Sequence, residues 1–285
     1  MTRLVLLVTL TMTAFAANSL LNRAALTGTD TGPAAFAAIR LVSGALCLAI
    51  LAAFRQGLPR LVQPGRWIGA GSLLVYMLGF SFAYVALDAG LGALILFGGV
   101  QVTMFGGALL RGERPHPARW IGALMAFGGL IWLLWPGAAG APDLVAVMLM
   151  AAAALGWGIY SLAGQGASDP LGDTAANFLV AAPAALIVWI VLPDAIGSRG
   201  AALAIVSGAI TSGLGYALWY TLLPRIEATV AALTQLTVPV IALIGGAALL
   251  AEAPDWRLAA ASVIVLGGVA FGVLGSQRTS NSRAS

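Results

Sequence analysis

The sequence predicts an all-α membrane protein: ten transmembrane helices arranged as two inverted five-helix repeats. Three observations lead there. The 285 residues are 60% hydrophobic and 8% charged, with mean hydropathy +0.98; a soluble chain carries about 25% charged residues. Ten apolar runs approach the roughly 20 residues needed to cross a hydrocarbon core of about 30 Å. The second half also repeats the first at a nearly constant offset.

The runs are, in order, Leu4–Leu21, Ala34–Phe54, Trp67–Leu87, Leu91–Leu110, Trp120–Trp135, Leu144–Ala163, Ala175–Leu192, Ala201–Leu223, Thr229–Leu250 and Leu258–Leu274. The first has signal-peptide features, Arg3 before an apolar run and Ala14-Phe15-Ala16 as a small-residue site, and is read as a retained helix. The runs are continuous rather than alternating, which excludes a β-barrel. Connections are short and leave no room for a soluble domain.

Composition removes other classes. Disorder needs low hydrophobicity and high charge. The net charge of +4 comes from 14 scattered arginines, with no lysine, and lacks the basic cluster of a nucleic-acid binder. All-arginine usage with abundant Ala and Gly fits a bacterial source. Cys47 alone forms no internal disulfide or multi-cysteine metal site. His116 is the single histidine. No metal, cofactor or catalytic residue is expected: there are no paired intramembrane carboxylates, no HExxH, no GxSxG and no Walker A loop.

Loop arginines orient the bundle. Arg3, Arg55, Arg60, Arg66, Arg111, Arg114, Arg119, Arg225, Arg278 and Arg283 fall on one side, and Arg23, Arg199 and Arg257 on the other. The positive-inside rule places both termini in the cytoplasm, hence a multi-pass protein of the bacterial inner membrane. The 6–7 loop, with Asp169 and Asp173 and no arginine, is tolerated because acids count little.

An offset of 139 lays Gly106–Pro115 on Gly245–Pro254, Glu113 on Glu252, Asp88 on Glu227 and Gly128-Gly129 on Gly267-Gly268. An offset of 142 lays Phe15 on Trp157, Ser19-Leu20 on Ser161-Leu162 and Phe36 on Phe178. The expected units are 1–140 and 141–276, with a polar cytoplasmic tail at 277–285. Five is odd, so consecutive units enter the membrane in opposite senses. Inverted repeats mark secondary transporters, with substrate held near the midplane and access alternating between sides.

The stretches GERPHPARWIGALMAFGGL (Gly112–Leu130) and AEAPDWRLAAASVIVLGGV (Ala251–Val269) each carry a Glu-x-Pro loop into a Gly-rich helix. In these the chain resembles the drug/metabolite transporter superfamily, EamA type, over nearly its whole length. FAANSLLNRAAL (Phe15–Leu26) and LFGGVQVTM (Leu96–Met104) are similar to bacterial amino-acid exporters, specifically the aromatic-amino-acid branch. The resemblance implies export of aromatic and other neutral amino acids. One departure is that span 9 carries Pro239 where span 4 reads Gly98-Gly99-Val100-Gln101-Val102.

Polar side chains in lipid are costly and face the bundle interior. Thr11, Phe15, Asn18 and Asn22 share one face of span 1; the two amides either line a cavity or bond between helices. Arg40 lies about 10 Å into span 2 from Pro33. It either binds a substrate carboxylate, snorkels, or pairs with a loop acid such as Asp88. Tyr76, Phe80 and Tyr84 recur at i, i+4, i+8; Trp157 and Tyr160 lie in span 6, and Tyr216 and Tyr220 in span 8. Aromatic faces suit aromatic substrates and cations, or simply pack. Gln101 is a mid-helix amide with the same two readings. The candidate substrate-binding set is therefore Asn18, Asn22, Arg40, Tyr76, Phe80, Gln101, Trp157, Tyr160, Tyr216 and Tyr220.

All ten acids fall in loops or at span ends, so no direct proton-coupling carboxylate is expected. The expected function is secondary export of amino acids of broad specificity by alternating access. The alternatives are export of drugs or small metabolites, nucleotide-sugar carriage, and a passive channel; two phosphates would demand more inward cations than Arg40. The expected partners are a small-molecule substrate and the lipid bilayer, with no nucleic acid. A monomer satisfies the pattern, which does not fix an oligomeric state.

Overall fold

A computed structural model of the chain describes residues 2–55, 57, 59–112, 115–135, 142–164, 167–222 and 234–282. Among these residues every regular element is a helix. The helices are α1 (Thr2–Gly28), α2 (Pro33–Arg55), α3 (Arg66–Ala83), α4 (Ala89–Leu110), α5 (Pro117–Leu134), α6 (Leu144–Ala163) and α7 (Pro170–Val191). Next, α8 runs through three segments: an α-helical Ser198–Ile205, a π-helical Val206–Leu214 and an α-helical Gly215–Leu222. The last two are α9 (Thr237–Leu249) and α10 (Trp256–Ser282). Among the described residues nine helices are long and apolar enough to cross a membrane, and α9 is a shorter apolar helix. The first part of the expected run Thr229–Leu250, up to residue 233, lies outside the described residues, as do Glu113 and Glu227 of the repeat comparison.

Helix starts reflect local chemistry. Pro33, Pro117 and Pro170 open α2, α5 and α7, where a missing N–H costs nothing. Asp143 accepts from the Ala146 amide at 2.8 Å, Asp169 from Gly172 at 2.9 Å, and the His116 ring from Ala118 at 3.2 Å. These satisfy first-turn amides that have no partner within the helix. Two further helices are capped by remote carboxylates. Asp194, beyond α7, receives Ala34 and Ala35 of α2 at 2.8 and 2.9 Å. Glu252, beyond α9, receives Ala89 of α4 at 2.8 Å.

The bundle is apolar outside and locally polar inside. Leu110 (92% exposed) and Phe54 (86%) face outward. Asn18, Asn22, Arg40, Ser81, Ser207 and Ser212 are buried. Lipid supplies no hydrogen bonds, so this is the distribution that a bilayer requires. The protein is a multi-pass membrane protein. Its most extensive pairings are α5 with α10, α3 with α6, α2 with α7, α4 with α6, α2 with the π-helical part of α8, and α4 with α9. Then come α3 with α7, and α1 with both α8 and α9.

Glycines let helices meet at backbone distance. A Cβ on Gly79 of α3 would lie 2.6 Å from the Leu149 carbonyl of α6. One on Gly156 of α6 would lie 2.6 Å from the Ser72 carbonyl of α3. The α5–α10 contact is built likewise: a Cβ on Gly268 would come within 3.0 Å of the Gly122 carbonyl.

Candidate functional site

The aromatic side chains from three sequence stripes converge. Trp157 of α6 is the hub, its ring centroid 4.9 Å from Tyr76 of α3 and 5.1 Å from Tyr216 of α8. Phe15 of α1 meets Tyr216 edge-on at 5.6 Å, and Phe80 meets Tyr76 at 5.4 Å. With Asn18, Ser19, Leu96 and Phe97 these rings surround a central cavity of about 10 Å³. That is room for one water at most. The rings themselves fill the centre of the bundle in this structure.

The polar side of this cavity is a connected seam. Asn18 Oδ1 lies 2.9, 2.6 and 3.2 Å from the hydroxyls of Ser207, Thr211 and Ser212, which donate to it. Ser212 accepts from Arg40 Nε at 3.2 Å, and the Tyr76 hydroxyl accepts from Arg40 Nη2 at 3.2 Å. The Arg40 Cζ lies 4.9 Å from the Phe80 ring centroid and 5.6 Å from that of Tyr76. Snorkelling is overturned: Arg40 is fully buried. The suggested pairing with Asp88 is overturned too, since Asp88 is held by Arg23.

The remaining candidates divide. Asn22 donates to Ser81 at 3.1 Å and does not line the cavity; its spacing puts it on the right face but one turn too far along. Gln101 is half-buried on α4, outside the cavity lining. The Tyr220 side chain lies outside the described residues. Tyr160 stacks on Trp157 (5.5 Å, 25° between planes) but lines a second cavity.

That second cavity is large, about 310 Å³, and opens between the α2–α3 and α6–α7 connections. Tyr160, Thr174, Asn177, Asp173, Arg66 and Gly69 are among its walls. Arg66, the first residue of α3, donates from Nη2 to Asp173 Oδ1 at 2.7 Å and from Nη1 to Asn177 Oδ1 at 2.9 Å. Sequence reasoning misses this role and counts Arg66 only as a loop charge. The available signal is its place at the first turn of a span, with Asp173 four residues after Asp169.

The opposite end of the bundle is tied shut. Arg23 of α1 donates to Glu252 at 2.9 Å, to Asp88 at 3.0 Å, and to the carbonyls of Tyr84 and Val85 at 3.0 Å each. One guanidinium thus joins the ends of α1, α3 and α9 to the start of α4. Ala251, at φ +55°, turns the chain so that the Glu252 amide bonds the Gly246 carbonyl. A non-glycine residue in that region carries strain, and here it aims Glu252 at Arg23 and Ala89.

Residues 2–135 and 144–274 match the EamA-like transporter family. An uncharacterized protein of Pseudomonas aeruginosa is 49% identical, covering 94% of each chain. The aromatic amino acid exporter YddG of Ancylobacter novellus is 30% identical over 83% of this chain and 86% of its own. An uncharacterized transporter of Archaeoglobus fulgidus is 25% identical over 71% and 74%. A crystal structure at 24% identity superposes with a TM-score of 0.69 over 96% of this chain and 97% of the other, a likeness of fold.

Proposed function

The chain belongs to the EamA-like transporter family, and on that premise we propose that it exports aromatic and other neutral amino acids across the bacterial inner membrane by alternating access. The family and the names of its relatives point to transport rather than an enzyme reaction. Substrate, mechanism and placement belong to our reading.

The observation that carries the reading is the Trp157–Tyr76–Tyr216 box, held at one water's volume between an end that is open and an end that is tied. A solute entering the 310 Å³ cavity is separated from the box by the Tyr160 and Trp157 rings. Aromatic walls favour an aromatic solute through offset and edge contacts. The closed centre disfavours a passive channel.

Helix pairing supports two inverted units, 1–140 and 141–276. Exchanging the halves turns α3–α6 into α8–α1, α4–α6 into α9–α1 and α2–α8 into α7–α3, all of them real contacts, and leaves α2–α7, α4–α9 and α5–α10 in place. Transporters of this kind rock one repeat against the other. The arginine bias puts the termini and the open cavity on the cytoplasmic side. All ten acids fall in loops or at the ends of the apolar runs, which supports a substrate flux without stoichiometric protons.

Counterflow in proteoliposomes against labelled amino acids tests this. Uptake of phenylalanine, tryptophan or tyrosine into preloaded vesicles is expected. If no amino acid of a neutral panel moves, the substrate class is wrong; if protons flow back stoichiometrically, the coupling is wrong.

A further inference from the structure

Arg40 is a buried cation without a counter-ion among the described residues. It has no solvent exposure, and its Nη1 has no hydrogen-bond partner there. Its Nε and Nη2 reach only neutral hydroxyls, those of Ser212 and Tyr76. No ion pair is formed by Arg40 among the described residues, whereas Arg23 and Arg66 both have carboxylates. A guanidinium does not give up its proton in a protein. The faces of Phe80 and Tyr76 and the two hydroxyls solvate the charge but do not cancel it.

The groups around Arg40 are also the walls of the closed cavity. Tyr76 and Phe80 touch the guanidinium and line the cavity; Ser212 links Arg40 to Asn18, a third lining residue. Nη1 has no partner among the described residues and Nη2 holds only the Tyr76 hydroxyl, so an anion that displaces that hydroxyl meets the guanidinium fork. A carboxylate matches the guanidinium fork and forms the stronger, charge-assisted bonds. A substrate ammonium finds no carboxylate among the described residues that line the cavity, and it shares the sign of Arg40.

We infer that the site reads an aromatic monocarboxylate, with the carboxylate on Arg40 and the ring in the Trp157–Tyr216 box, and that the α-amino group of an amino acid is not read. This rests on the placement of the substrate site proposed above, and it extends the substrates to aromatic acids that lack an amino group.

Calorimetric titration of the purified full chain in detergent with 3-phenylpropionate, phenylalanine and phenethylamine tests it without any variant. The two carboxylates should bind with comparable Kd, and the amine about 10- to 100-fold more weakly, the range for a lost charged hydrogen bond. Arg40→Gln should weaken both carboxylates by a similar factor, and Arg40→Lys should restore part of the loss. Equal binding of the amine, no binding by any of the three, or full phenylpropionate affinity in folded Arg40→Gln overturns the inference. Failure of the transport reading looks different: phenylpropionate binds through Arg40, yet no amino acid moves in vesicles. Conversely, amino-acid counterflow with Arg40-independent binding removes this inference and leaves transport standing.

Discussion

Trp157 and Tyr160 stack one turn apart on α6 and face different cavities, Trp157 the closed central one and Tyr160 the open one. On the transport path proposed above, the pair forms the partition between the two cavities. Trp157→Ala should reduce counterflow about 10-fold, the equivalent of about 1.4 kcal/mol, which is the scale of one lost aromatic contact with the solute. Trp157→Phe should keep most of the activity. Size-exclusion profiles confirm folding; unchanged transport in the alanine variant would mislocate the cavity.

The Arg23–Glu252 pair should couple strongly. A double-mutant cycle of Arg23→Gln and Glu252→Gln, read by thermal unfolding in detergent, is expected to give an interaction of about 1–3 kcal/mol. An interaction near zero would mean that the Arg23–Glu252 pair does not hold this end together.

Asn18 is the acceptor for hydroxyls on α8. Asn18→Leu leaves them without it and should cost about 1–3 kcal/mol. Asn18→Asp, which keeps an acceptor oxygen at that position, should cost less. Equal losses in the two variants would show that side-chain size, not hydrogen bonding, matters there.

Gly156 and Gly71 give a matched contrast. A Cβ on Gly156 meets the Ser72 carbonyl and the Tyr76 amide at 2.6 and 2.8 Å, whereas one on Gly71 meets nothing within 4 Å. Gly156→Ala should destabilise by about 1–3 kcal/mol through forced separation of α3 and α6. Gly71→Ala should be neutral or gain up to about 1 kcal/mol from helix propensity. The reverse order in thermal unfolding would contradict the close α3–α6 approach.

Hydropathy makes the helices legible because every span must satisfy its own backbone in lipid. Helical spacing also locates Phe15, Asn18, Tyr76, Phe80, Trp157 and Tyr216, whose rings and amide do meet. Spacing along one helix carries no information about register between helices, so it groups Asn22 with a cavity that it does not line, and the mid-span position of Gln101 likewise does not bring it there. Arg23 and Arg66 read as loop charges because their partners, Glu252 and Asp173, lie far along the chain. The π-helical stretch has no compositional mark: VSGAITSGL reads as an ordinary apolar segment.

That stretch sets the facing of the closing turns of α8. Bonds from i to i+5 wind the chain more loosely than those of an α-helix, so the backbone leaving Leu214 is out of phase with the backbone entering at Val206. Tyr216 and Trp219 lie in the turns that follow it. Tightening nine residues would swivel both rings about the helix axis while Ser198–Ile205 kept its neighbours.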